Sequence, residues 1–293
     1  MKGIGIMRIV GIGDNVVDRY VNRGIMFPGG NAVNFAVYAK RCGEDAAYLG
    51  LIADEPEGWL VYDSLRELGV EVDRSKPIRG ITTERCDVRL DDGDRVFIGC
   101  EYGEGEWTPL KLNEEHLEYL RGFDVIHCGC YACMEDEIAK LRDIDAVITY
   151  DFSSEEEYRT EEYLQKVCPY VDIALFSAEE MTPEQSRALR EKVIELGTKL
   201  VLVTNGSKGQ VLWDGKTEYQ GVVKLVEPVD TMGAGDSFFT SFVVAMMRAG
   251  YGQKTLGEAE IHECFEYAAD FSANNCLLEG AFGFATKYKE PEA

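Results

Sequence analysis

The chain has 293 residues, 45% of them hydrophobic, which suits one large α/β domain and excludes a disordered chain. Its net charge of −23, from 30 Lys+Arg against 53 Asp+Glu, argues against a nucleic-acid partner, since phosphate backbones are recruited by basic patches. The nine cysteines are scattered through apolar stretches and read as reduced thiols with no disulfide framework, which points to a cytoplasmic location. The first residues are apolar but broken by Arg8 and Asp14, so they read as a buried strand rather than a leader. The longest apolar stretch, residues 238–247, is too short to cross a bilayer, and no membrane partner is expected.

In chain order, short apolar runs alternate with amphipathic segments. Strands are expected at residues 8–13, 46–52, 124–130, 147–152, 173–176 and 199–204, and helices at 31–42, 59–68, 114–120, 185–196 and 237–248. Several strands are apolar on both faces, the pattern of a mostly parallel sheet covered by helices, so the fold class is α/β. Residues 85–98 break the alternation. They read as a hairpin, with period-two patterning in the first arm and Asp92-Gly93 as a type I′ turn. Such a ribbon either projects as a lid over a site or forms an antiparallel edge of the main sheet.

The chemistry concentrates in Asp230-Thr231-Met232-Gly233-Ala234-Gly235-Asp236, followed by an apolar helix. Gly233 and Gly235 allow a tight turn and close approach of a phosphate to the amides that open the helix. Asp236 adds an acceptor able to take a proton from an attacking hydroxyl, so the segment points to phosphoryl transfer. A glycine turn alone would also serve a plain strand-to-helix connection.

Near the N-terminus, Asp14 and Asp18 follow the first strand, where ligands of open α/β sheets gather, and Pro28-Gly29-Gly30-Asn31-Ala32-Val33-Asn34 opens the first helix. Carboxylates and amides suit a polyhydroxylated ligand, although Asn31 by itself could be a helix cap. His127 with Cys128, Cys130 and Cys133 has no paired metal-ligand spacing and reads as structural. Val16 occupies the third-glycine position of a dinucleotide fingerprint, and there is no Walker motif.

Gly29-Gly30-Asn31 and Asp230-Thr231-x-Gly233-Ala234-Gly235-Asp236 resemble the two signatures of the ribokinase-like, or PfkB, family of carbohydrate kinases, a likeness spanning nearly the whole chain. Residues 13–15, 29–34, 94–97 and 230–238 are similar to the branch acting on fructosamines such as fructoselysine. The resemblance implies a three-layer ribokinase-like fold with a central mostly parallel sheet, and a small β lid, from about residues 14–27 and 79–106, that pairs two copies into a homodimer. It implies ATP and Mg²⁺ as cofactors. Asp236 falls on the catalytic base, with Gly233, Ala234 and Gly235 on the anion hole. Asp18, Gly30, Asn31 and Asn34 fall on sugar-binding positions, beside which Asp14 and Arg95 are further substrate contacts. Thr204, Gly206 and Gly209 resemble the loop along the nucleotide, and Asn274 either lines the adenine pocket or belongs to a polar helix face. Ser177-Ala178-Glu179-Glu180 stands where the family has Asn-x-x-Glu. It offers Glu180, or Glu179 in another register, to Mg²⁺ through water. Asp230 is a candidate for K⁺. Kinases of ribose, fructose or nucleosides stand beside a fructosamine kinase, and a non-catalytic sugar or nucleotide sensor is the competing class.

Overall fold

The structure is a computed structural model that describes residues 5–91 and 94–288. β1 (Arg8–Gly13) leads into an antiparallel pair, β2 (Val16–Tyr20) and β3 (Ile25–Gly29), before α1 (Asn31–Arg41) and β4 (Asp45–Gly50). After α2 (Pro56–Glu67) comes a ribbon, β5 (Glu84–Asp91) and β6 (Asp94–Tyr102), then α3 (Glu114–Leu120), β7 (Val125–Gly129) and β8 (Val147–Asp151). The second half runs α4 (Glu161–Val167), β9 (Ile173–Ser177), α5 (Pro183–Glu195), β10 (Leu200–Thr204), β11 (Gln210–Trp213), β12 (Glu218–Gln220), α6 (Ala234–Ala249), α7 (Glu258–Asn275) and β13 (Thr286–Lys287).

Eight strands form the main sheet in the order β12-β11-β10-β9-β8-β7-β1-β4, parallel from β10 to β4 and antiparallel only at the β11–β12 edge. Alternate residues of one strand feed two separate cores. Ile9 packs with α1, α2, α6 and α7 on one face, while Val10 and Ile12 pack with α3, α4 and α5 on the other. This double burial is why the strands read as continuous apolar runs. Helix ends follow local chemistry: Pro183 opens α5 behind Thr182, whose hydroxyl accepts from Gln185 N in a capping box.

A second sheet, ordered β13-β3-β2-β5-β6, is built from the segments that break the βα alternation. The ribbon therefore pairs with β2, in parallel, and is no edge of the main sheet. A register shift after Asp87 pairs Val88 with Phe97 and leaves Ile98 as a bulge. The Asp92-Gly93 turn expected between the arms lies outside the described residues.

The reading of all nine cysteines as reduced thiols is corrected by this ribbon. Cys86 and Cys100 stand opposite one another on β5 and β6, with Cα atoms 4.1 Å apart, and are joined by a disulfide. A separation of 14 residues carries no pairing signal until the strand register is known. Of the seven free cysteines only Cys133 is exposed. Among the described residues no helix is long and apolar enough to cross a membrane.

Candidate active site

The carboxyl ends of the parallel strands and the N-termini of α1 and α6 meet in one cleft. Asp14, just past β1, accepts from Asn31 N (2.6 Å) and Ala32 N (3.3 Å), so its carboxylate caps α1. The approach is close: Gly30 sits at φ 109°, and a Cβ there would stand 2.8 Å from Asn15 Cα and 3.0 Å from Asp14 Oδ2.

Asn31 is the hub of the site. Its Nδ2 donates to Asp236 Oδ1 (3.0 Å) and to Asp151 Oδ2 (2.9 Å), while Asn34 Nδ2 donates to the other Asp236 oxygen (2.6 Å). Asn31 Oδ1 lies 2.8 Å from His127 Nε2, and His127 Nδ1 lies 2.9 Å from Thr149 Oγ1. Because Asn31 Oδ1 can only accept, His127 carries its proton on Nε2, and its Nδ1 accepts from Thr149. The imidazole stacks on Phe35 with centroids 3.9 Å apart. Both amide protons of Asn31 are thus committed to carboxylates. It positions Asp236 and has one lone pair left for a ligand.

The anion cradle is formed where α6 begins. Gly233 is left-handed at φ 70°, and a Cβ there would collide with the Tyr38 hydroxyl, which donates to Ala281 O (2.6 Å). Ala234 N bonds Thr231 O, but helix geometry leaves the amides of Gly235 and Asp236 without an intrahelical acceptor. Gly235 is exposed, with nothing within 4 Å of its absent side chain, so a ligand can reach these amides. Asp236, in the first turn, is partly exposed at the mouth of the cleft. The helix starts three residues earlier than its apolar run suggests, because the glycine turn itself supplies the entry.

The second sheet covers this cleft. Asp18 of β2 is only 4% exposed, and the electrostatic neighbours of its carboxylate are Arg95, Asp230 and Asp236. Arg95 of β6 donates from Nη1 to Thr231 O (2.8 Å), so the ribbon clasps the loop ahead of the cradle. Asp230 is fully buried and accepts from Tyr20 OH (2.7 Å), Gly280 N (2.8 Å) and Met232 N (3.0 Å), which makes it the tie between sheet, loop and C-terminal segment.

Thr204 ends β10, and Gly206 and Gly209 bound the turn behind it, at the same carboxyl edge as Asp151 and Ser177. Glu179 and Glu180 are both exposed, the first against Gly206 and the second near Arg159. Arg159 donates to the carbonyls of Ser153 and Ser177 and so ties the ends of β8 and β9. Asn274 is exposed, and its amide turns back onto Asp270 O (2.8 Å) of its own helix. The buried neighbour Asn275 instead donates to Tyr38 OH (3.1 Å) and Ala281 O (2.9 Å) behind the cradle.

The model of the pfkB family of carbohydrate kinases matches residues 3–284. The chain belongs to that family. It is 31% identical to fructosamine kinase FrlD of Bacillus subtilis, over 97% of this chain and 95% of that one. It is 33% identical to fructoselysine 6-kinase of Escherichia coli, over 79% and 86% respectively. Among solved structures, the complex of Arabidopsis thaliana ribokinase with ribose and ATP superposes with a TM-score of 0.75 at 20% identity, covering 94% of this chain and 95% of that one, which establishes the ribokinase-like fold.

In this pfkB-family kinase the cleft is crowded with acids that burial holds toward the protonated form. Asp14 is pushed up to about 6, and Asp18 to about 7 despite the opposing charge of Arg95. Asp151 is raised to about 7 by burial and by the charge of Asp236. Asp236 is also raised by burial, against which the hydrogen bonds from Asn34 and Asn31 and the charge of Arg95 stabilise its ionised form. Burial lowers His127 to about 3, so it stays neutral and acts as a fixed hydrogen-bonding strut. Asp151 escaped sequence reasoning, although an acid closing a buried parallel strand is the same signal that singled out Asp14. His127 stands beside cysteines in the sequence, and nothing there links it to Asn31, 96 positions away.

Proposed function

We propose that this carbohydrate kinase transfers the γ-phosphoryl group of ATP to the carbon-6 hydroxyl of a fructosamine such as fructoselysine. The observation that carries the reading is the mounting of Asp236. A carboxylate with both oxygens held by donors stands one residue beyond an open glycine cradle, on the first turn of a 16-residue helix. The free amides of Gly235 and Asp236 would hold the transferred phosphoryl group, while Asp236 takes the proton of the attacking hydroxyl in line with it. Asn34, Asp18 and Gly30 face the sugar. Asn31 and His127 hold the base, and Asp14 fixes the start of α1. Sequence likeness to kinases of fructosamine and fructoselysine supports the choice of substrate.

For the nucleotide, the turn of Thr204, Gly206 and Gly209 forms one wall. Val223 packs on Gly209, and with the exposed Leu225 and Val226 it offers an apolar face for a base, with Asn274 on the adjoining helix. The cleft's donor set fits a hard cation, since Asp14, Asp151 and Asp236 offer carboxylate oxygens and Cys86 and Cys100 are tied up in their disulfide, as expected for Mg²⁺ held by one or two acids together with phosphates. Glu180 would hold it through water, and when bound it neutralises charge on the transferred group. Asp230 accepts from three donors and so serves the scaffold, and the acceptor capacity its carboxylate retains is available to K⁺.

The second sheet acts as a lid that excludes water, with Arg95 as its latch on Thr231. Among the described residues its outer strand β6 is an unpaired edge with Val96, Phe97 and Ile98 exposed by 41%, 53% and 58%, a surface suited to covering by a second copy of the chain. The direct test is ATP consumption with fructoselysine, fructose and ribose under one set of conditions. Turnover greatest with fructoselysine is the expected result, and consumption with none of the three would remove the kinase assignment.

A further inference from the structure

We infer that Glu84, on the inner face of the lid, binds a charged secondary amine, so that this kinase selects a ketose carrying a cationic nitrogen at carbon 1 over the neutral sugar. The inference rests on the kinase reading for the placement of the sugar and goes beyond it in naming the recognition group.

The strand register places Glu84. Asp18 pairs with Cys86, and Val16 with Glu84, so these side chains share one face of the lid. That face looks into the cleft, because Asp18 on it senses Asp236 and Arg95, and Glu84 in turn acts on Asp18. Glu84 lies two residues along β5 from the level of Asp18, roughly 7 Å at strand spacing, which is about the reach from one end of a hexulose to the other. Arg95 marks the opposite end, over the phosphate cradle.

Glu84 is half-buried, its carboxyl raised by that burial, and among the described residues no Lys or Arg pairs with it. The neighbouring Arg85 faces the other side, where Glu57 (2.9 Å) and Glu55 (3.4 Å) hold it. Tyr102 stands across from Glu84 on β6, its ring 5.6 Å from that of Trp107. The Tyr102 hydroxyl hydrogen-bonds the Glu84 carboxyl, whose other acceptor sites stay open, and an acid beside an aromatic ring is a setting for an ammonium group.

Two further groups ask for a ligand. The nine-tenths-buried Asn34 has its Oδ1 without a partner, and among the described residues no donor reaches the Asp18 carboxylate. Sugar hydroxyls would answer these two. A neutral substituent beyond them would leave Glu84 desolvated with no counter-charge, whereas a secondary ammonium supplies both the charge and two N–H donors.

The test is calorimetric binding of 1-deoxy-1-propylamino-fructose and of its N-acetyl derivative, which has no charge, to wild type and to Glu84→Gln. Wild type is expected to prefer the amine by about 10-fold or more, and Glu84→Gln to bring the ratio close to one. A wild-type ratio near one, or a ratio unaltered by the substitution, overturns the inference. Phosphorylation assays run in parallel separate the two failures. Turnover without amine preference sinks the amine site alone, and amine preference without turnover of any sugar sinks the kinase reading alone.

Discussion

Replacing Asn31 by alanine isolates the claim that this side chain tunes the base. The substitution deletes the donors to Asp236 (3.0 Å) and Asp151 (2.9 Å) and leaves α1 intact, since Asp14 caps the helix through the backbone amides of residues 31 and 32. A hydrogen bond to an ionised group is worth about 1.5–3 kcal/mol. At about 1.4 kcal/mol per unit, its loss raises the pKa of Asp236 by about 1–2 units. The base works ionised, so the rising limb of kcat/KM should move toward alkaline pH by that amount, with activity about 10–100-fold lower below the limb and recovering above it. The assay is kcat/KM for fructoselysine from pH 5 to 9 with ATP saturating. A limb that stays in place, with the same proportional loss at every pH, would refute the reasoning and leave Asn31 as a substrate contact only.

Three other outcomes can be checked with simple variants. Gly233→Ala forces a Cβ against the Tyr38 hydroxyl at a left-handed position, so the midpoint of thermal unfolding should fall and calorimetric ATP affinity should weaken at least about 10-fold, whereas wild-type values would contradict the cradle geometry. Asp14, Asp18 and Asp151 titrate near 6–7 in the fold against 3.8 ordinarily, so the folded state binds more protons between those limits. Their contribution to stability is therefore full below about pH 4 and is lost as pH rises through 6–7. The Tm of the ligand-free protein should fall from pH 5 to 8 and fall less in Asp151→Asn, and a Tm rising over that range would contradict the burial of these acids. Ile98→Glu, on the open edge of β6, should shift light scattering from a dimer toward a monomer, and an unchanged mass would remove β6 as the pairing edge.

The main sheet was legible because its strands are buried on both faces, and a run such as Ile9-Val10-Gly11-Ile12 can serve two cores only in a helix-covered sheet. Boundaries shifted by a few residues where capping decides them, as at Pro56 and Ala234. The short strands β11, β12 and β13 gave no pattern, and β13 has only two residues. At the site, residues that act through backbone shape or sit in one run could be read from sequence: the glycine cradle, Asp236, and the Gly30-Asn31 turn. What could not be read was how side chains divide their hydrogen bonds. Nothing in sequence shows that Asn31 also holds Asp236 and Asp151 and meets His127, or that the amide of Asn274 donates to Asp270 O of its own helix. The disulfide belongs to the same class, since the pairing of Cys86 with Cys100 depends on a register that a bulge adjusts.

The most direct test of the central claim is Asp236→Asn, which keeps the shape of the side chain and removes its capacity to accept a proton. Turnover with fructoselysine should drop about 10²-fold or more while ATP binding, followed by calorimetry, stays within about twofold, because the amides of the cradle are untouched. Turnover within a few-fold of wild type would contradict Asp236 as the base.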